Sequence, residues 1–244
     1  NPSIASANGN IFAVWVSNEN SDFFGTNETN SIMYSQLGEN GWSEPEMVLG
    51  NLNAVTDISA GEINGELCIS YITDNDNDLS TADDRSLNVK KYSELQSYEI
   101  SHGVLASPVF AMAGNDTANC LYWYANGNIV RSENLNETSN LISDGTIALN
   151  NGFAVTKNRI LWSGSENGKS SNLYESVYNT DSDSWSNPVK LSAQDDYIEN
   201  VTAAVLDGKI YAVMNRNDVT LDPDTVESVN SIVWTTVESA ENIS

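Results

Sequence analysis

The stretch Asn8-Gly9-Asn10-Ile11-Phe12-Ala13-Val14-Trp15-Val16-Ser17 decides the fold: a tight-turn dipeptide feeds an apolar run that closes on an aromatic and then a small residue. Asn64-Gly65 leads in the same way to Leu67–Thr73, Asn119 to Cys120–Ala125, Lys157-Asn158 to Arg159–Ser163, and Asp207-Gly208 to Ile210–Asn215. The aligned closing residues are Trp15, Tyr71, Trp123, Trp162 and Met214. A further strand follows each, aligned on Tyr34, Val89, Val130, Tyr174 and Trp234, and a fourth then closes each repeat. Before each turn runs a strand rich in small residues, such as Ser3-Ile4-Ala5-Ser6 and Ile58-Ser59-Ala60-Gly61. Asn-Gly and Asp-Gly supply the two positive φ angles that a two-residue hairpin needs. Small residues suit strands crowded around an axis, and strands apolar on both faces suit blades sandwiched between neighbours.

The pattern predicts an all-β, five-bladed β-propeller with four antiparallel strands per blade. The blades cover 1–50, 51–101, 102–143, 144–192 and 193–244, one domain over 1–244. A longer array, of six to eight blades, is the alternative if the sequence is an excerpt.

Composition narrows the function classes. With 40% hydrophobic residues, the 244-residue chain has enough apolar material for a real core. Ten Lys+Arg against 34 Asp+Glu give a formal charge of −24, which repels phosphate backbones and anionic lipid heads. No nucleic-acid partner is expected. No apolar run reaches the length of about 18 residues that a membrane helix needs, so no membrane insertion is expected. The sequence opens on Asn1-Pro2-Ser3 without an initiator Met or a leader pattern, which reads as a processed chain or an excised domain. The expectation is a monomeric module of a larger extracellular or cell-surface protein.

In such blades the connections from second to third strand emerge on one face and the short hairpins on the other. The long connections run roughly over 18–30, 74–85, 164–170 and 215–230, and long loops on a rigid scaffold are where binding sits. In the third repeat this connection shrinks to Asn126-Gly127, a gap in the rim that would suit a ligand entrance. Phe23 and Phe24 stand in the first loop, where aromatic faces would suit sugar rings or one Phe would tuck under its own loop. Together with Trp162 and Arg216 they are the candidate ligand-binding residues. The second loop reads Asp74-Asn75-Asp76-Asn77-Asp78, whose oxygens suit a hard cation, so Asp74, Asp76 and Asp78 are the candidate metal ligands. The EF-hand spacing fails beyond them, with Leu79 at the glycine position and Arg85 at that of the bidentate Glu. Ca²⁺ is the one cofactor this pattern admits; no other is expected. The single histidine, His102, excludes a Ser-His-Asp triad built without it. Cys68 and Cys120 take equivalent positions in adjacent strands and are expected as two buried thiols.

Two hairpins carry a resemblance. Gly38–Pro45 and Asn179–Pro188 each contain Trp-Ser-x-Pro and are similar to degenerate Asp-boxes of sialidase-like (BNR-like) propellers. The chain also resembles propeller modules of secreted or cell-surface bacterial proteins and, weakly, five-bladed glycoside hydrolase propellers. The hydrolase resemblance implies a carboxylate at the first inner strand, where this sequence has Asn1-Pro2, and leaves Asp57 and Glu199 as the acids near inner strands. With that first acid missing, the sequence is read as a non-catalytic recognition or adhesion module for a carbohydrate, more plausibly not an enzyme. The alternatives are a glycoside hydrolase using Asp57 and Glu199, and a propeller that binds a surface protein or serves as a spacer.

Overall fold

The computed structural model describes residues 2–18, 22, 24–26, 28–142, 152–165, 171–191, 197–222 and 225–237, with 218–222 and 225–230 described by their backbone alone. Phe23 and Asn1 lie outside the described residues. Among the described residues all regular structure is β, arranged in five successive antiparallel sheets. Sheet one holds β1 (Ser3–Ala7), β2 (Asn10–Asn18), β3 (Asn30–Gly38), β4 (Gly41–Trp42) and β5 (Glu46–Leu52). Sheet two holds β6 (Ala54–Ile63), β7 (Glu66–Asp74), β8 (Arg85–Lys91) and β9 (Tyr98–Gly103). Sheet three holds β10 (Leu105–Ala111), β11 (Cys120–Ala125), β12 (Asn128–Ser132) and β13 (Ser139–Ile142). Sheet four holds β14 (Phe153–Val155), β15 (Arg159–Gly164), β16 (Asn172–Asn179), β17 (Ser184–Trp185) and β18 (Val189–Lys190). Sheet five has, among the described residues, three strands, β19 (Ile198–Leu206), β20 (Lys209–Asp222) and β21 (Thr225–Val237); its expected fourth strand lies outside them.

The chain divides into two compact units, residues 1–111 with 118–140, and 112–117 with 141–244. In the first, the inner strands β1, β6 and β10 lie side by side; in the second, β14 lies beside β19. The turns into the second strands form as the dipeptides dictate, with positive φ at Asn8 and Gly9, Asn64 and Gly65, and Asp207 and Gly208. Asn126 and Gly127 make the same kind of turn between β11 and β12.

Sheet two explains why its second strand is apolar almost throughout. Leu67, Ile69 and Tyr71 of β7 pack with Phe12, Val14 and Ile32 of sheet one. The intervening Cys68 and Ile72 pack with Leu121 and Trp123 of sheet three. Alternate residues therefore serve opposite interfaces, and neither face of the strand is open to solvent. Between β6 and β10 the approach is so close that a Cβ on Gly61 would stand 2.3 Å from Cβ of Phe110. Only glycine fits there. Cys68 and Cys120 are buried and not joined in a disulfide, and loss of hydration pushes the Cys68 thiol up to about 12. In the second unit Leu161 and Leu173 of sheet four pack with Ile210, Ala212 and Met214 of sheet five.

The two Trp-Ser-x-Pro segments fold alike. The hydroxyl of Ser35 donates to the carbonyl of Ser43 at 2.8 Å, and that of Ser176 to the carbonyl of Ser186 at 2.7 Å. The backbone N–H of Gln36 donates to Ser43 Oγ at 3.1 Å, and that of Val177 to Ser186 Oγ at 3.0 Å. A hydroxyl replaces ladder bonds where the strand must stop, and proline two residues after each of these serines keeps it stopped.

Candidate active site

Three inner strands carry a β-bulge at the end where they begin. Register shifts fall between Val55 and Asp57 in β6, between Ala106 and Val109 in β10, and between Glu199 and Thr202 in β19. Ser107 and Asn200 take positive φ there, 53° in each case. Such bulges re-aim side chains and backbone amides. In the first unit two of them meet, since the re-aimed N–H of Ser107 donates to Asp57 Oδ2 at 3.2 Å. Burial raises the pKa of Asp57 above the usual carboxylate range, against the opposing pulls of that N–H and the Arg85 guanidinium.

Asp57 lines a pocket of about 330 Å³ together with Val16, Asn18, Phe24, Asn30, Val55, Thr56 and Ile58. One wall is made by Asn18, Phe24 and Asn30, and amide side chains tie the described residues around them. Asn18 Nδ2 donates to the carbonyl of Asp22 at 3.0 Å, and buried Asn30 ties Gly25 to Asn53, donating to the Asn53 carbonyl at 3.0 Å. Gly25 has φ +69 and sits so close to the Asn30 amide that a Cβ would collide with it. Phe24 is 70% exposed on this wall. An exposed aromatic face, fixed amides and a carboxyl whose pKa is raised make a site suited to a polyhydroxylated ring.

The other sequence candidates are placed differently. Trp162 is 0% exposed and stacks on Tyr174 with centroids 6.0 Å apart. It is core, and its assignment to ligand binding is corrected: the closing aromatic of a second strand points into the packing between sheets. Glu199 is exposed, one residue before the bulge of β19, and lies in the second unit. Arg216 is exposed and lines a larger cavity of about 510 Å³ between sheets four and five, with Trp234, Met214 and the Arg159–Glu175 ion pair. We place the candidate site at the smaller pocket, where the Asp57 carboxyl stands beside an exposed aromatic face and ordered amides. The Ser107-Pro108 bulge was not legible as a site residue; a Ser-Pro step inside an inner strand was the available signal.

In the acidic loop, oxygens of Asp74, Asp76 and Asp84 lie within 4.8 Å of one another. Asp78 is not among them, which corrects that member of the expected ligand set. Its Oδ1 caps its own turn, accepting from the backbone N–H of Ser80 at 3.0 Å and its hydroxyl at 2.6 Å. Asp84 returns instead at the foot of β8, where its Oδ2 accepts the N–H of Asp76 at 2.8 Å. Asp74 is fully buried, with Arg85 Nε 3.4 Å from its Oδ2. Burial and then the Asp84 charge raise its pKa, against the pull of Arg85.

The sequence matches no known protein family and no curated protein. Solved structures share the fold. An α-L-arabinofuranosidase from Lactobacillus brevis aligns with TM-score 0.50 at 11% identity, over 95% of this chain and 89% of that one. An exo-β-1,3-galactanase from Clostridium thermocellum aligns with TM-score 0.50 at 10% identity, over 98% of this chain and 59% of that one. The polysaccharide lyase Uly1 aligns with TM-score 0.50 at 8% identity, over 97% of this chain and 57% of that one. TolB from Acinetobacter baumannii shares the fold to the same degree, with TM-score 0.51. At these identities the likeness is one of fold, and the architecture is all-β and propeller-like. It also corrects the expectation of a non-catalytic recognition or adhesion module: the carbohydrate-related chains that share this fold are enzymes.

Proposed function

We propose that this chain is a carbohydrate-active enzyme of the glycoside hydrolase kind, with Asp57 as its proton donor. The observation that carries the reading is a half-buried carboxyl, with its pKa raised, in a pocket beside an exposed phenyl ring and ordered amides. In this mechanism a sugar ring packs on Phe24 while Asp57 gives its proton to the glycosidic oxygen; the bond to the anomeric carbon breaks, water adds to that carbon, and the water's proton passes to solvent. The carboxylate left behind is met by the N–H of Ser107 and the field of Arg85, so the same two groups that oppose protonation stabilise the product state. The role of second carboxylate is not given to Glu199, which belongs to the other unit.

A chain of formal charge −24 repels a polyanion, so neutral glycans are the favoured substrates over uronate-rich ones. Several finer readings go with this proposal: five blades in one ring, Asp-box character for the two Trp-Ser-x-Pro hairpins, an extracellular setting, and a monomeric module of a larger protein. The five successive sheets and the repeated serine bonds support the first two. The test is incubation of the full chain with a panel of neutral and acidic polysaccharides, followed by assay of new reducing ends. Release from a neutral glycan is expected. Retention of a glycan without turnover, or silence on the whole panel, would overturn the reading.

A further inference from the structure

We infer that Asp74, Asp76 and Asp84 bind a hard divalent cation, Ca²⁺, at the rim of sheet two. Three carboxylates lie close together there, and among the described residues one guanidinium, that of Arg85, stands against them. Acidic clusters on protein surfaces usually spread into water; in this one Asp76 is exposed, but Asp84 is half-buried and Asp74 buried. Asp74 is fully buried, and neither its Oδ1 nor the buried Oδ1 of Asp84 receives a hydrogen bond. A buried carboxylate oxygen with no donor costs free energy unless something positive meets it.

Carboxylate oxygens select a hard ion. The oxygens lie within 4.8 Å of one another, inside the roughly 5 Å between ligands on opposite sides of Ca²⁺ at Ca–O distances of about 2.3–2.6 Å. Mg²⁺ holds its oxygens at about 2.0–2.1 Å in strict octahedral geometry and gives up water reluctantly, so it fits this set less well. The loop is also built before any ion arrives. Asn75 Nδ2 donates to the carbonyl of Asp84 at 2.6 Å and to Ser86 Oγ at 2.9 Å, and Asn77 Oδ1 accepts the N–H of Ala54 at 2.7 Å. The amides of the Asp-Asn-Asp-Asn-Asp run thus fix the loop, and the carboxylates at its first, third and closing positions are left to face one another.

The test is the thermal midpoint of the full chain with Ca²⁺, with Mg²⁺ and with chelator at matched ionic strength, in the wild type and in D76N, D84N and D78N. A ligand that binds only the folded state raises the midpoint by about 5–10 °C at a hundredfold excess over its Kd. The wild type and D78N should show that rise with Ca²⁺ and less with Mg²⁺; D76N and D84N should lose most of it. Isothermal titration with CaCl₂ should follow the same order. A wild type unmoved by 10 mM Ca²⁺, or a rise of equal size in D84N, would overturn the assignment. Neither outcome bears on glycan turnover, so this inference and the proposed function fail separately.

Discussion

Asp57 and Asp74 stand at the same end of sheet two, one on β6 and one on β7, and burial raises the pKa of both. Their surroundings then separate them. Asp57 has one backbone N–H, an open pocket and an aromatic neighbour, which is what a proton donor needs. Asp74 is sealed from solvent and faces two further carboxylates, which is what a cation needs. Arg85 connects the two places: its Nε reaches Asp74 while its NH1 donates to the carbonyl of Leu105, and its field opposes protonation of both carboxyls. The lesson is that a raised carboxyl pKa names no role by itself. The count of neighbouring carboxylates and the access of solvent decide it.

The largest expected effect that would separate the two is on turnover. Asp57→Asn removes a proton donor and should cost about 10²- to 10⁴-fold in kcat on whichever glycan the wild type cleaves, while leaving the calcium-dependent midpoint shift in place. Loss of that shift in the same variant would merge the two sites and break the comparison. Next comes the scaffold beneath Asp57. Gly61→Val drives a side chain into Phe110, whose own Cβ is the obstacle, so the backbones of β6 and β10 must part; urea unfolding should register a loss of about 1–3 kcal/mol. An unchanged midpoint would mean that the inner strands are not held as described.

Phe24→Ala should raise KM roughly three- to tenfold with kcat little changed, the worth of one aromatic face. A loss in kcat alone would move Phe24 from binding to catalysis. The smallest effect is on stability against pH. Both carboxyls have folded pKa values above their unfolded ones, so their contribution is complete below the unfolded carboxylate value of about 4 and is lost as pH rises through the raised values. In chelator, stability should therefore decline as pH rises from acid toward neutrality. Ca²⁺ should cancel the part due to Asp74, and Asp57→Asn the part due to Asp57.

Much of this fold was legible, because its signals are local. Asn-Gly and Asp-Gly turns, small residues before them and doubly apolar second strands all follow from backbone geometry and two-sided burial. The site was legible only in outline. Asp57 and the acidic loop stood out by residue type, but Asp84 enters the cluster through the return of the chain to β8, and Asp78 leaves it to cap Ser80; neither is a property of spacing. Trp162 was misassigned because a closing aromatic looks the same whether it faces a neighbouring sheet or a ligand. Trp15, at the same aligned position, is half-buried, and Trp234, aligned on the third strand, is 67% exposed. The bulges left only faint signals, a Ser-Pro step at 107–108 and an Asn at 200, and their positive φ was not read from them.

The central claim is that Asp57 donates a proton during glycan cleavage, and its most direct test is the pH dependence of kcat/KM for release of reducing ends, in the wild type and in Asp57→Asn. The account predicts that wild-type activity falls on the alkaline side as a carboxyl with a raised pKa loses its proton, and that this limb disappears together with most of the rate in the variant. A variant with the wild-type rate and the same limb would contradict it.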